Sequence, residues 1–251
     1  MAMDKLLLEE MSWPEVKEAL DGGADCVIVP VASVEQHGFH LPENTDAVLG
    51  ENAALELARL LGGALVAPAI RPGLSAHHMA FPGTLTLRPE TLRMVIEDYA
   101  DCYVRHGFRK IVLLSSHGGN VAACGRAAEE LQAKYPQAVF AAARDVPTQA
   151  ELREMEALCG FPAGTNGGHA DERETSEMLA LRPGLVHMER AEPGFTGELT
   201  PDLLERFFRE GAQSLTGVGC VGDPRMADAG RGRWYISRAA RGIAEALKRI
   251  F

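Results

Sequence analysis

Five potential ligands crowd into one short stretch, SVEQHGFHLPENTD at 33–46: Glu35, His37, His40, Glu43 and Asp46. Carboxylates and imidazoles bind divalent cations and move protons near neutral pH. In extended backbone, side chains two apart point the same way, so Glu35 and His37 can face one site. Asp46 stands just before an apolar-periodic segment. It, or Thr45, suits the cap of that helix, and a carboxylate with two oxygens can cap and ligate at once.

Three further clusters offer the same chemistry. SSHGGN at 115–120 sets His117 at the end of an apolar run, before two glycines that permit a tight turn and an Asn120 that can open a helix. Such a turn can cradle an anion, but the spacing and lysine of a P-loop are missing. GGHADERETSEM at 167–178 sets His169 beside a glycine pair, ahead of a helix whose first turn carries Asp171, Glu172 and Glu174. Acids there complement the helix dipole, which accounts for the acids but not for His169. SAHHMAFPGT at 75–84 adds His77 and His78. Adjacent histidines usually diverge, so one at most is expected to face a site. Pooled, these nitrogen and oxygen ligands suit zinc, manganese or iron. A two-metal version uses a bridging carboxylate between ions about 3.5–4 Å apart and lowers the pKa of bound water. The reaction class that follows is hydrolysis of a C–N or C–C bond beside a carbonyl.

Four continuously apolar runs must position these clusters: CVIVPVAS (26–33), GALVAPAI (63–70), KIVLLSS (110–116) and AVFAAARD (138–145). Runs without alternation read as strands covered on both faces. Helices are expected at about 47–61, 89–106, 119–134, 172–181, 201–210 and 230–250. The last repeats Ile236, Ala240, Ile243, Leu247 and Ile250 at core spacing. Strand–helix alternation predicts an α/β fold with a mainly parallel sheet. Ligands then gather beyond the carboxyl ends of the strands, where both the 33–46 stretch and SSHGGN fall.

The 251 residues are expected to form a single domain, with 25 Lys and Arg against 35 Asp and Glu. A net charge of −10 with no basic stripe argues against nucleic acid as a partner. No apolar run is long enough to span a bilayer, and residues 1–10 carry no secretory pattern, so a cytoplasmic protein with no membrane partner is expected. The five cysteines are widely spaced without a CxxC, which disfavours disulfides and thiolate zinc.

The motifs SVEQHGFHLPENTD, FPGT, SSHGGN, GGHADERETS and GVGCVGDPRMADAGRGR occur in the order found in the creatininase (creatinine amidohydrolase) family, which this chain resembles from about 27 to 238. The resemblance implies a three-layer α/β/α sandwich holding two divalent metal ions (Zn, Mn or Fe) per subunit. Glu35, Asp46 and His117 match the ligands of one metal, and His37 and Asp46 those of the other, with Asp46 bridging. Creatininase itself has a glutamate two residues beyond the third-motif histidine, where this chain has Gly119. Family members with H-G-G-N use the glutamate of the E-T-S motif instead, here Glu174, which is carried over as both ligand and catalytic group. His169 resembles the catalytic histidine that moves a proton to the leaving nitrogen. His78, Gly118, Gly119 and Asn120 are expected to bind the substrate, a small molecule. A homo-oligomer, a hexamer, is implied.

The expected activity is hydrolysis of an amide, cyclic amide or formamide C–N bond through a water bridging the metals. Creatinine is disfavoured, because the only tryptophans, Trp13 and Trp234, lie near the termini and a glycine pair follows His117. His77 stands where a glutamate is common in the family, and Asp171 where a glycine is. Related activities include formamide deformylation, peptide trimming in cofactor maturation and ring opening of keto-inositols, so a C–C ring-opening hydrolase is the alternative. Further rivals are a non-enzymatic metal-binding protein, a dinucleotide site at GVGCVG (217–222) and a serine nucleophile at Ser115 or Ser116. GVGCVG runs straight into Asp223–Pro224 where a helix should open, and no G-x-S-x-G elbow surrounds the serines.

Overall fold

A computed structural model describes residues 5–251; residues 1–4, the start of the stretch read for a targeting pattern, lie outside them. The central sheet contains β1 (Cys26–Val31), β2 (Ala64–Val66), β3 (Lys110–Ser115) and β4 (Val139–Arg144) in the order β2-β1-β3-β4. Every pairing is parallel, with Cys26 opposite Ala64 and Lys110, and Lys110 opposite Val139. Pro30 sits inside β1 without costing a ladder bond. Its carbonyl accepts from Ile70 N–H at 2.9 Å, on the side where β2 has already ended at Val66, so no strand there needs the missing donor.

Alternation along β1 and β3 feeds two apolar layers. Val27, Val29, Val31, Ile111 and Leu113 pack against α3 (Pro89–His106) and α4 (Val121–Lys134). Cys26, Ile28, Val112 and Leu114 pack against α2 (Thr45–Leu61) and α8 (Ala229–Leu247). Helices on both faces make this the α/β/α sandwich anticipated from the motifs. The expected strands and helices form within a few residues of their anticipated limits.

Two helices and a second sheet were not anticipated. α1 (Trp13–Asp21) and α5 (Gln149–Cys159) each begin with a capping box, Ser12 with Glu15 and Thr148 with Glu151. That signal is legible in S-W-P-E and T-Q-A-E, but α1 buries no residue fully and packs on the core only through a short stripe that includes Ala19 and Leu20. β5 (Asn166–His169) pairs antiparallel with β6 (Val221–Gly222), apart from the main sheet. The glycines of both strands allow this close approach. A Cβ on Gly167 would overlap the Val221 carbonyl, and Gly222 has φ 126°. GVGCVG is thus part of a strand pair followed by a 3-10 turn, not the strand–turn–helix of a dinucleotide site.

α6 (Glu172–Leu181) follows β5 directly, and α7 (Pro201–Glu210) lies between them and β6 in sequence. The segments leaving β1, β3 and β4 and the end of β5 converge at the carboxyl rim of the sheet.

Candidate metal centre

Asp46 occupies the first turn of α2, whose N-cap is Asn44. Neither Thr45 nor Asp46 caps the helix. The Thr45 hydroxyl donates to the Pro42 carbonyl at 2.7 Å, and both Asp46 oxygens turn toward histidines. The helix dipole favours an anion at this position. Oδ1 lies 3.3 Å from His37 Nε2 and Oδ2 lies 3.3 Å from His117 Nδ1.

The far nitrogen of each histidine is anchored to backbone. His37 Nδ1–H donates to the Glu35 carbonyl at 3.0 Å, and His117 Nε2–H donates to the Leu74 carbonyl at 2.9 Å. These bonds select the tautomer and aim the other nitrogen at the carboxylates, the arrangement a metal-binding histidine needs. His37 Nε2 is also 3.6 Å from Glu174 Oε2, and His117 Nδ1 is 3.2 Å from Glu35 Oε1. Two sets of ligand atoms, each within 4.8 Å of one another, therefore share Asp46: Glu35–Asp46–His117 and His37–Asp46–Glu174.

The electrostatics call for cations. Glu35, Asp46 and Glu174 are all buried, and uncompensated buried charge is costly. Burial works against a charge on His37, but the Asp46 and Glu174 carboxylates outweigh it and raise its pKa to about 10. Burial is overcome in the same way at His117 by Glu35 and Asp46. Glu35 and Asp46 are held below the ordinary carboxylate range against their burial, by His117 for Glu35 and by His37 and His117 for Asp46. Glu174 is pushed up to about 7 by burial, with His37 and Arg173 opposing. Glu35 Oε1, His37 Nε2 and Asp46 Oδ2 are buried without a hydrogen-bond partner among the described residues. All three belong to the ligand sets, and hard oxygen and imidazole donors left open in this way fit a divalent cation.

Glu174 is held from two sides. Its Oε2 accepts from Ala170 N–H at 2.7 Å, and its Oε1 from the buried Arg173 guanidinium at 3.2 Å. Ala170 has φ 49°, a left-handed conformation that sends the chain from His169 into α6. Asp171 caps α6, accepting from Glu174 N–H at 3.1 Å. Glu172 points away from the site, accepting from the Tyr235 hydroxyl at 2.7 Å and Arg231 Nε at 2.8 Å.

His169 is tied to a residue that sequence reasoning passed over. Its Nε2–H donates to the Gln36 carbonyl at 2.8 Å. The Gln36 amide donates to the Gly219 carbonyl at 3.0 Å and to His78 Nδ1 at 2.8 Å. With those bonds assigned, His169 Nδ1 and His78 Nε2 both face Glu35 Oε1, at 3.6 and 3.5 Å. Burial keeps both rings neutral, lowering His78 to about 3 and His169 well below its ordinary value. The only sequence signal for Gln36 was its place inside E-Q-H-G.

Several expectations need correction. His77 and His78 both face the site: the 3-10 turn Ala76–His78 brings their ring centroids to 4.3 Å, and both lie within ligand distance of Glu35. Asn120, expected at the substrate, is not among the residues that line the cavity. Its amide donates to the Val31 and Ala32 carbonyls at 3.2 and 2.9 Å and its oxygen accepts from Leu74 N–H at 2.9 Å, so it braces the β1 exit and is fully buried. Glu43, counted among the potential ligands, is half-buried against Gly83, and burial raises its pKa. His40, also a potential ligand by type, braces the loop instead, hydrogen-bonded to Thr175 Oγ1 at 2.8 Å. The hydroxyls of Ser115 and Ser116 donate to the His117 and Asp46 carbonyls at 2.8 Å each, which leaves neither poised as a nucleophile.

The ligand sets open into a cavity of about 160 Å3, lined also by His77, His78, His169, Gly118 and Gly119. Creatininase's glutamate has no room at Gly119, where a Cβ would overlap the Leu74 carbonyl and lie 2.5 Å from His117 Nε2.

A family-wide sequence profile described as creatinine amidohydrolase matches residues 9–247. The chain belongs to the creatininase family. It is a creatininase-family hydrolase, in a family of metal-dependent amidohydrolases. It is 33% identical to the mycofactocin precursor peptide peptidase of Mycobacterium tuberculosis (strain CDC 1551 / Oshkosh) over 219 residues, 82% of this chain and 78% of that one. It is 28% identical to the creatinine amidohydrolase of Pseudomonas putida over 259 residues, 96% of each chain. A structure described as creatininase Mn superposes with a TM-score of 0.82 over 98% of both chains at 24% identity, a likeness of creatininase fold.

Proposed function

We propose that this creatininase-family protein hydrolyses an amide C–N bond, using two divalent ions held by Glu35, Asp46 and His117 on one side and by His37, Asp46 and Glu174 on the other. The observation that carries this reading is Asp46, whose two oxygens serve two separate ligand sets. When bound, such a pair of ions polarises the substrate carbonyl and supplies a water nucleophile near neutral pH.

The protein's own residues supply the rest. His169, neutral and fixed through Nε2–H to Gln36, keeps Nδ1 free on the Glu35 side. It accepts the proton of the attacking water and returns it to the leaving nitrogen. Glu174 stays oriented by Ala170 N–H and Arg173. Gly118, around which a Cβ would meet nothing within 4 Å, leaves space for the carbonyl beside His117. A peptide-type amide is favoured over creatinine. Among the described residues no tryptophan lines the cavity, and identity to the Mycobacterium tuberculosis peptidase exceeds identity to the Pseudomonas putida enzyme.

Elemental analysis tests the reading. The native protein is expected to carry two metal equivalents, and Asp46→Ala neither. Chelation should abolish amide turnover and added Mn, Zn or Fe restore it. Two equivalents retained in Asp46→Ala would defeat the shared-ligand assignment.

A further inference from the structure

The cavity beside the ligand sets has a second wall of the opposite character. α7 contributes Leu204, Phe207 and Phe208 to it, and β6 contributes Val221. Phe207 is buried in a small apolar cluster with Ala212 and Val221. Phe208 and Leu204 are not covered: they remain 50% and 41% exposed, although both line the cavity. Large apolar side chains left open inside a concave site mark a surface that a ligand covers.

This wall reaches the ligand sets through one ring. The His77 centroid is 4.8 Å from Phe208 and 5.1 Å from Phe207, and His77 stacks on His117 at 5.6 Å. A group seated on Phe208 therefore lies one ring away from a residue of the ligand set. The charges of α7 point elsewhere. Arg206 pairs with Glu210 at 3.1 Å and Arg209 with Glu205 at 2.8 Å, and none of the four lines the cavity. Among the described residues the lining includes no lysine or arginine, so a carboxylate or phosphate on this side would have no partner. The volume of about 160 Å3 is below the roughly 300–1,000 Å3 of a site that encloses a whole ligand, so the cavity takes one group and the scissile amide while the rest of the substrate runs out to solvent.

We infer that the substrate carries an uncharged apolar group, aliphatic or aromatic, next to the amide it loses, seated against Leu204, Phe207 and Phe208 of α7. This rests on the metal-dependent amide hydrolysis proposed above and adds the substrate's chemical class. Specificity arises because an acidic group would be desolvated against apolar side chains with no counter-charge.

Hydroxamates probe the wall without turnover, because they bind metal hydrolases through the ions while their side groups vary. The affinities of phenylacetohydroxamate and of the acidic succinic monohydroxamate for metal-loaded protein can be measured by calorimetry. The phenyl compound should bind at least about tenfold more tightly, the scale of burying one apolar group. Phe208→Arg should shrink or reverse that preference, and Leu204→Arg should act in the same direction should the first variant fold poorly. Both positions are half-open, so melting temperature and metal content should be retained. Equal affinities in the native protein, or an unchanged preference in a folded arginine variant, would overturn the apolar wall. Failure of every hydroxamate to bind would instead overturn the metal-site reading, and this inference with it.

Discussion

His117 Nδ1 lies 3.3 Å from Asp46 Oδ2, while its Nε2–H is already given to the Leu74 carbonyl. An imidazole aimed at a buried carboxylate can carry a proton between them or share a cation with it. The two states respond differently to pH.

The first prediction concerns metal removal. In metal-free protein His37 and His117 hold protons, because Asp46 and Glu35 raise both above their ordinary range. A raised histidine contributes stability that is complete below its unfolded value, about 6.5, and is lost as pH climbs through the folded value. For His37 that window runs from about 6.5 to about 10. Metal-free protein should therefore lose melting temperature across this range. The loaded protein should lose less, because the same lone pairs are coordinated. Once the protons that the chelator itself releases on binding metal are subtracted, chelation at pH 7.5 should be accompanied by proton uptake by the protein, read by calorimetry in buffers of different ionisation enthalpy. Net proton release by the protein after that subtraction would contradict the assignment.

Glu174 belongs to one ligand set only. Glu174→Gln should keep about one of two metal equivalents while Asp46→Ala keeps none, in line with the loss of a single carboxylate ligand. It also frees the Arg173 guanidinium from one of its two buried partners, Glu177 remaining at 3.0 Å. Melting temperature should fall. Loss of both metals in Glu174→Gln would show that the two sets are not separable.

Gln36 holds His169 and His78 without itself pointing at the ligand sets. Gln36→Leu should lower kcat about 10–100-fold, the usual scale for removing a group that orients another. KM and metal content should stay within about twofold. A change confined to KM, or loss of metal, would place Gln36 in substrate or metal binding instead.

Gly119 is packed against His117 and Leu74. Gly119→Ala forces the His117 ring or the Leu74 carbonyl to move, an overpacking cost of roughly 1–3 kcal/mol. Thermal denaturation should show it, together with weaker metal retention. An alanine variant with native stability and metal content would mean that the Leu74 segment shifts freely.

Much of this protein could be read along the chain. Unbroken apolar runs announced the four parallel strands, because a strand covered on both faces has no polar side to alternate. α3 and α6 begin and end where the spacing placed them. The residues proposed as metal ligands stand in dense polar motifs just beyond a strand or at a helix start, and only the family resemblance singled out Glu174 among its acidic neighbours. Tertiary structure decided the remainder. Asp46 looked like a cap until two histidines from distant segments were seen to take its oxygens. Asn120 was expected beside the substrate, and the fold instead bonds its amide to the β1 exit. Local sequence displays a side chain's chemistry but not its partners. Gln36 and Phe208 acquire their roles only from residues far along the chain, His169 for one and His77 for the other. Such contacts exist only once the sheet has brought the loops to one rim, and no periodicity in the sequence encodes them.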